Sequence, residues 1–125
     1  ENGTVLDRRT NLMWAARDNG SNVNWSQARR YCETYRGGGY SDWRMPTQQE
    51  LAGLYNPESR HQATHLTLFD VHLTGLIELS SPLIWAFETR GSDAASFSFI
   101  RGGRNWTYRF YDSYTYRALP VRFAR

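Results

Sequence analysis

Lysine is absent from this 125-residue chain and cysteine occurs once, so all its positive side chains are arginine or histidine and no internal disulfide can form. The lone Cys32 also argues against a cysteine-based metal site and leaves the redox compartment open. Long apolar runs are missing too. Nothing approaches the roughly 18 residues of a membrane span, and Glu1 to Thr10 is too polar for a secretion signal. The start at Glu1-Asn2-Gly3 reads as a domain cut from a longer precursor. The guanidinium of Arg, unlike the ammonium of Lys, is a planar fork that grips carboxylate, sulfate or phosphate in bidentate fashion. Its exclusive use fits an anionic ligand, and a GC-rich genome that replaces Lys throughout would produce the same bias.

What the chain does have is aromatic mass: 5 Trp, 8 Tyr and 6 Phe within a hydrophobic content of 40%. That composition is far from a disordered profile, and the length suits one domain spanning 1–125. The net charge of +3 is unevenly spread. Residues 1–85 carry 8 Arg against 9 acids, whereas residues 86–125 carry 7 Arg against Glu88, Asp93 and Asp112.

Short apolar runs at Thr4-Val5-Leu6 and Leu12-Met13-Trp14, joined by a polar turn, predict a hairpin. Asn24 with Gln27 three residues on predicts a capped helix, and Trp25, Ala28, Tyr31, Cys32 and Tyr35 follow at helical spacing on its core face. Gly37-Gly38-Gly39 is expected to close that helix. Thr47 and Glu50 predict the start of a second helix carrying Leu51 and Leu54 and stopping near Asn56-Pro57. Residues 58–82 read as irregular with at most a short helix. Beyond them, 83–87, 95–100, 107–111 and 118–123 read as strands of one antiparallel sheet. The fold class is α+β: N-terminal hairpin, two helices, then a C-terminal antiparallel sheet with long loops.

Three strings together resemble a known family. Gly3-Thr4-Val5, Asp7, Thr10 and Leu12-Met13-Trp14 come first, then Trp25, Ala28 and Tyr31-Cys32, then Gly39-Tyr40-Ser41-Asp42-Trp43-Arg44-Met45-Pro46-Thr47 with Glu50-Leu51. Their order and spacing are similar to the Legionella collagen-like protein C-terminal domain family, the Lcl C-terminal domain. Ile84-Trp85-Ala86-Phe87-Glu88 and Leu119-Pro120-Val121-Arg122 match its later segments more loosely. The resemblance implies a C-type-lectin-like domain from an exported bacterial protein, extracellular, at the cell surface or periplasmic. It also implies adhesin-type binding of sulfated glycosaminoglycans, and fold alone does not carry that ligand over. Pro120 stands where the family has a late Cys, so a bridge from that position to Cys32, if the family has one, is lost here.

Most motifs have a packing explanation. Asp42-Trp43-Arg44 before the second helix is expected to bury the Trp ring, with Asp42 and Arg44 pairing with each other or with backbone. Trp14, Trp25 and Trp85 are read as core. His61 and His65 would share a face of a helix, yet no acidic partner stands at zinc-motif spacing, so no metal site is expected near them or His72. Asp18-Asn19-Gly20-Ser21-Asn22 lacks the spacing of a calcium loop. Cys32 on an apolar stripe is expected to be inert, and no nucleophile, base and orienting group converge, so the chain is not expected to be an enzyme or to need a cofactor.

The remaining signal runs from Arg101 to Arg117, where Arg alternates with aromatics and small polar residues as in a paratope. Arg101, Arg104, Trp106, Arg109, Tyr111, Tyr114, Tyr116 and Arg117 are the candidate ligand-binding residues. Alternation sets Trp106, Tyr108 and Phe110 against Thr107, Arg109 and Tyr111, one row facing the core and the other outward. The expected partner is an anionic or sulfated polysaccharide. The alternative is a protein-docking or homo-oligomer surface, and the tract also resembles the variable region of diversity-generating retroelement proteins. No nucleic-acid motif is present and +3 is modest for a phosphate-tracking surface, so nucleic acid is not expected.

Overall fold

Two capping boxes start the two helices. The Asn24 side chain accepts from Gln27 N at 2.9 Å and Gln27 Oε1 accepts from Asn24 N at 2.9 Å, opening helix α1 (Trp25–Thr34). Thr47 Oγ1 accepts from Glu50 N at 3.1 Å and Glu50 Oε1 accepts from Thr47 N at 2.9 Å, opening helix α2 (Gln48–Leu54). In each case two orphan backbone donors of the first turn are satisfied reciprocally. Helix α1 ends earlier than the glycines suggest: Tyr35 is already extended, and Gly37–Gly39 form a separate 3-10 turn in which Gly38 takes φ 68.

The computed structural model describes residues 3–63, 66–110 and 116–124. The predicted hairpin is strands β1 (Thr4–Asp7) and β2 (Leu12–Ala15), antiparallel with Val5 opposite Trp14. Residues 58–82 hold a second hairpin that the sequence did not announce, β3 (His61–Ala63) and β4 (Leu66–Val71), with a register shift between Gln62 and Ala63. Leu66 and Leu68 alternate only briefly before Phe69 breaks the period, so the strand becomes recognisable only through its partner. His61 accordingly lies on a strand, which removes the helical premise for pairing it with His65; His65 itself is outside the described residues.

Strands β5 (Leu83–Arg90), β6 (Asp93–Ser98) and β7 (Gly103–Tyr108) follow as an antiparallel meander. The expected fourth strand, 118–123, forms only over its second half, and a short strand precedes it. Strand β8 (Tyr116–Arg117) runs parallel to β5, completing the order β7-β6-β5-β8, while β9 (Val121–Phe123) leaves this sheet and pairs antiparallel with β2. The chain is thus α+β, with a mixed four-stranded sheet, the two-stranded β3–β4 sheet and a three-stranded sheet that holds its first and last strands.

The β5 run is almost continuously apolar because both faces of the sheet are covered. Ile84, Ala86, Ala95 and Phe97 pack with Leu51 and Leu54 of α2, while Trp85 and Ala94 pack with Trp25, Ala28 and Cys32 of α1. Three indoles hydrogen-bond to backbone: Trp85 Nε1 to Val23 O and Trp25 Nε1 to Ala86 O, both at 2.8 Å, and Trp43 Nε1 to Gly37 O at 3.1 Å. Trp43 is buried as expected and Arg44 donates to backbone at Met45 O, 3.3 Å, but no ion pair joins Asp42 to Arg44. Arg122 reaches Asp42 at 2.6 Å, and Arg44 forks onto both Glu50 oxygens at 2.9 and 2.8 Å. The reason is tertiary: backbone bonds between Arg44 and Val121 lay β9 beside this segment.

Candidate functional site

The chain reverses after β6 at Arg101-Gly102, where Gly102 takes φ 74 and its N–H bonds Ser98 O at 2.9 Å. It then runs out along β7, which pairs only with β6 and forms an edge of the sheet among the described residues. Period-2 alternation puts Arg104, Trp106 and Tyr108 on one face of β7. That row is exposed, Trp106 to 37% and Tyr108 to 55%, and Phe110 continues it at 57%. Tyr108 and Phe110 meet edge to face at 5.4 Å, and Arg90, at the end of β5, lies over the Trp106 ring at 4.2 Å. Arg90, Arg101 and Arg104 are exposed, and none has a carboxylate partner among the described residues. Arg104 also borders a depression of about 600 Å³ lined by Thr10, Gln49, Ala52 and Phe123, with Glu50, whose carboxylate is held by Arg44, on the same wall. The result is a strip of aromatic faces interleaved with guanidinium groups that form no ion pair among the described residues.

The candidate residues from the sequence separate into three groups. Arg104 and Trp106 are on the strip, and Arg101 is exposed in the turn that leads into it. Arg109 is half-buried and ties the end of β7 to α1: its guanidinium lies over Trp25 at 4.5 Å, its Nη1 donates to Gly91 O at 3.3 Å, and its carbonyl accepts from Trp25 N at 3.0 Å. Tyr116 and Arg117 belong to the interior instead. Tyr116 stacks on Trp85 at 4.7 Å and shares a hydrogen bond with Thr107 Oγ1 at 3.1 Å. Arg117 is 7% exposed and donates to Ser80 Oγ at 2.8 Å and Asn22 Oδ1 at 2.6 Å. The parallel pairing of β8 with β5 seats Arg117 in the interior and leaves Tyr116 half-buried against Trp85. Tyr111 and Tyr114 lie outside the described residues.

Arg90, Tyr108 and Phe110 were missed. Tyr108 and Phe110 stood in the tract, but their exposure depends on which layer covers β7. Arg90 is distant in sequence and joins through the β5–β6 turn.

Several polar groups away from the strip serve structure. Asp18 is buried and accepts from Ser80 N at 2.7 Å, Ser80 Oγ at 2.8 Å and Gly20 N at 3.0 Å. Burial raises its carboxyl above the ordinary 3.8, against the lowering pull of those bonds and of Arg117. Cys32 is buried as a free thiol, and burial pushes its pKa far up, away from the reactive thiolate. His72 Nδ1 is 3.1 Å from Ser59 O. Among the described residues no three His, Cys, Asp or Glu side chains gather in a metal-binding group, and no helix is long and apolar enough to cross a membrane.

No curated protein and no solved structure matches the chain. A family model does, that of the Lcl C-terminal domain, over residues 3–122. That match takes in both capped helices, the joined terminal strands up to Arg122 and the whole of β7, and the chain belongs to the Lcl C-terminal domain family.

Proposed function

We propose that this chain is an extracytoplasmic, adhesin-type recognition domain on a C-type-lectin-like scaffold, and that it binds an anionic or sulfated polysaccharide along the β7 strip. One observation carries the reading: Arg90 and Arg104, with Arg101 at the turn leading into β7, are exposed and form no ion pair among the described residues, alongside the exposed rings of Trp106, Tyr108 and Phe110. Aromatic faces stack on the CH faces of sugar rings, and the guanidinium forks take sulfate or carboxylate groups. A strip on an extended strand suits a linear polymer, and the depression beside Arg104 offers room for a branch or substituent. The α+β order of hairpin, two helices and sheet supports the scaffold assignment.

The test is retention on a heparin column for the wild type and the Arg90→Ser, Arg101→Ser, Arg104→Ser triple variant, with circular dichroism on both. Wild-type elution well above about 0.15 M salt, with early elution of a folded variant, is the expected result. Equal retention of the two removes the strip from the binding surface. A wild type that flows through shifts support to a second reading, favoured by the open edge of β7: a protein partner or second copy docks on the aromatic row. In that case Tyr108→Ala and Phe110→Ala weaken association more than the Arg changes, with little salt dependence.

A further inference from the structure

We infer that the groove between the 19–23 loop and α1 is a second binding site, which takes the carboxylate of an acidic sugar. The groove has a volume of about 520 Å³ and is lined by Asn22, Val23, Ser26, Gln27, Arg30 and Tyr31 among others. That volume is within the range of small-ligand sites. No Asp or Glu is among its described lining residues.

The special property of the groove is that its free polar ends can donate. Asn22 and Gln27 each have a carbonyl oxygen and an NH2 group. Asn22 Oδ1 is held by Arg117 Nη1 at 2.6 Å, and Gln27 Oε1 by the Asn24 N–H at 2.9 Å. Both partners are obligate donors, so oxygen must face them and the two NH2 groups are the ends left over. Neither NH2 has a partner among the described residues, nor do the Ser26 and Tyr31 hydroxyls. Burial raises the Tyr31 phenol above its ordinary value, so it stays protonated. Arg30 is exposed on the same wall, and the neighbouring Glu33 is engaged by Arg29 at 3.0 Å. An array of amide, hydroxyl and guanidinium donors without an acid fits a planar carboxylate. The half-buried Tyr31 ring and Val23 give the apolar footing that a sugar ring needs and a bare ion does not.

This site is independent of the β7 strip, and its test separates the two. Amide NMR spectra are recorded during titration with sodium glucuronate, glucose, acetate and sulfate. Glucuronate is expected to move signals of residues 22–34 saturably, with the other three binding at least about tenfold more weakly, the size of one charged hydrogen bond. Gln27→Glu keeps the capping box, because a carboxylate also accepts from Asn24 N–H, so its melting temperature holds. It replaces a donor by a negative oxygen, and glucuronate affinity is expected to fall at least about tenfold, as it is in Arg30→Gln. The Arg101→Ser, Arg104→Ser variant is expected to bind glucuronate like the wild type, whatever it does on heparin. Unchanged affinity in Gln27→Glu, equal binding of glucose or acetate, or shifts confined to β7 overturns the site; equal binding of sulfate overturns its assignment to a carboxylate.

Discussion

Arg117 spends its guanidinium on Ser80 and Asn22, beside the buried Asp18, while Arg104 is exposed and forms no ion pair among the described residues. Truncating the first leaves a buried carboxylate without its compensating charge. Arg117→Ala is therefore expected to cost about 3 kcal/mol in urea unfolding, and Arg104→Ala no more than about 0.5 kcal/mol. Equal costs would mean that Arg117 is not the support of Asp18. The two shifted carboxyls act on stability with opposite sign. Burial raises Asp18, so its contribution is present below pH 3.8 and lost as pH rises through its higher folded value. Burial also pushes Glu50 up, but the hydrogen bonds from Arg44 and Thr47 outweigh it and hold the carboxyl below 4.5. Its contribution is present above pH 4.5 and lost as pH falls through the lower folded value. Glu50→Gln is expected to flatten the acid limb of a plot of urea midpoint against pH; an unchanged limb would assign the acid loss to other groups.

At the scale of elements, caps and turns carry more than propensity does. Helix α1 has no acidic residue in its first turn and no basic residue in its last, so its start depends on the Asn24 box. Asn24→Ala is expected to cost about 1 kcal/mol, read by thermal unfolding, and no change would mean that packing of Trp25 and Ala28 alone holds the helix. The two strand reversals beside the strip differ in a way a single methyl can test. Gly91 takes φ 62 with open space around it, whereas a Cβ on Gly102 would meet the Tyr55 ring at 2.6 Å. That ring packs edge-on against Phe97 and His72, each at 6.0 Å between centroids, which resists its moving aside. Gly91→Ala is expected to cost about 1 kcal/mol for left-handed backbone, and Gly102→Ala clearly more, with loss of heparin retention as Arg101 and Arg104 are displaced. Similar costs at both positions would show that Tyr55 yields.

For the whole molecule, the decisive contact is between its two ends. Strand β9 pairs with β2, exchanges backbone bonds with Arg44, and carries the fully buried Val121. Deletion of residues 121–125 is expected to abolish cooperative unfolding rather than lower the midpoint slightly, and a sharp transition in the truncated chain would show that the rest folds alone. Much of this architecture was legible locally. The hairpin signal, the two capping boxes, the buried face of α1 and the apolar run of β5 depend on residues within a few positions of one another, so periodicity and cap chemistry sufficed. The family strings in the first 51 residues were legible for the same reason. Other features were settled only by contacts between distant parts of the chain. Alternation showed that β7 has two rows, but only the layers packed against the sheet decided that Trp106 and Tyr108 face water. Charge patterning grouped Arg117 with Arg104, and only the parallel seat of β8 beside β5 buried the one and left the other exposed. A sequence specifies which side chains share a face of an element; which face meets solvent is a property of the neighbours that tertiary packing brings to it.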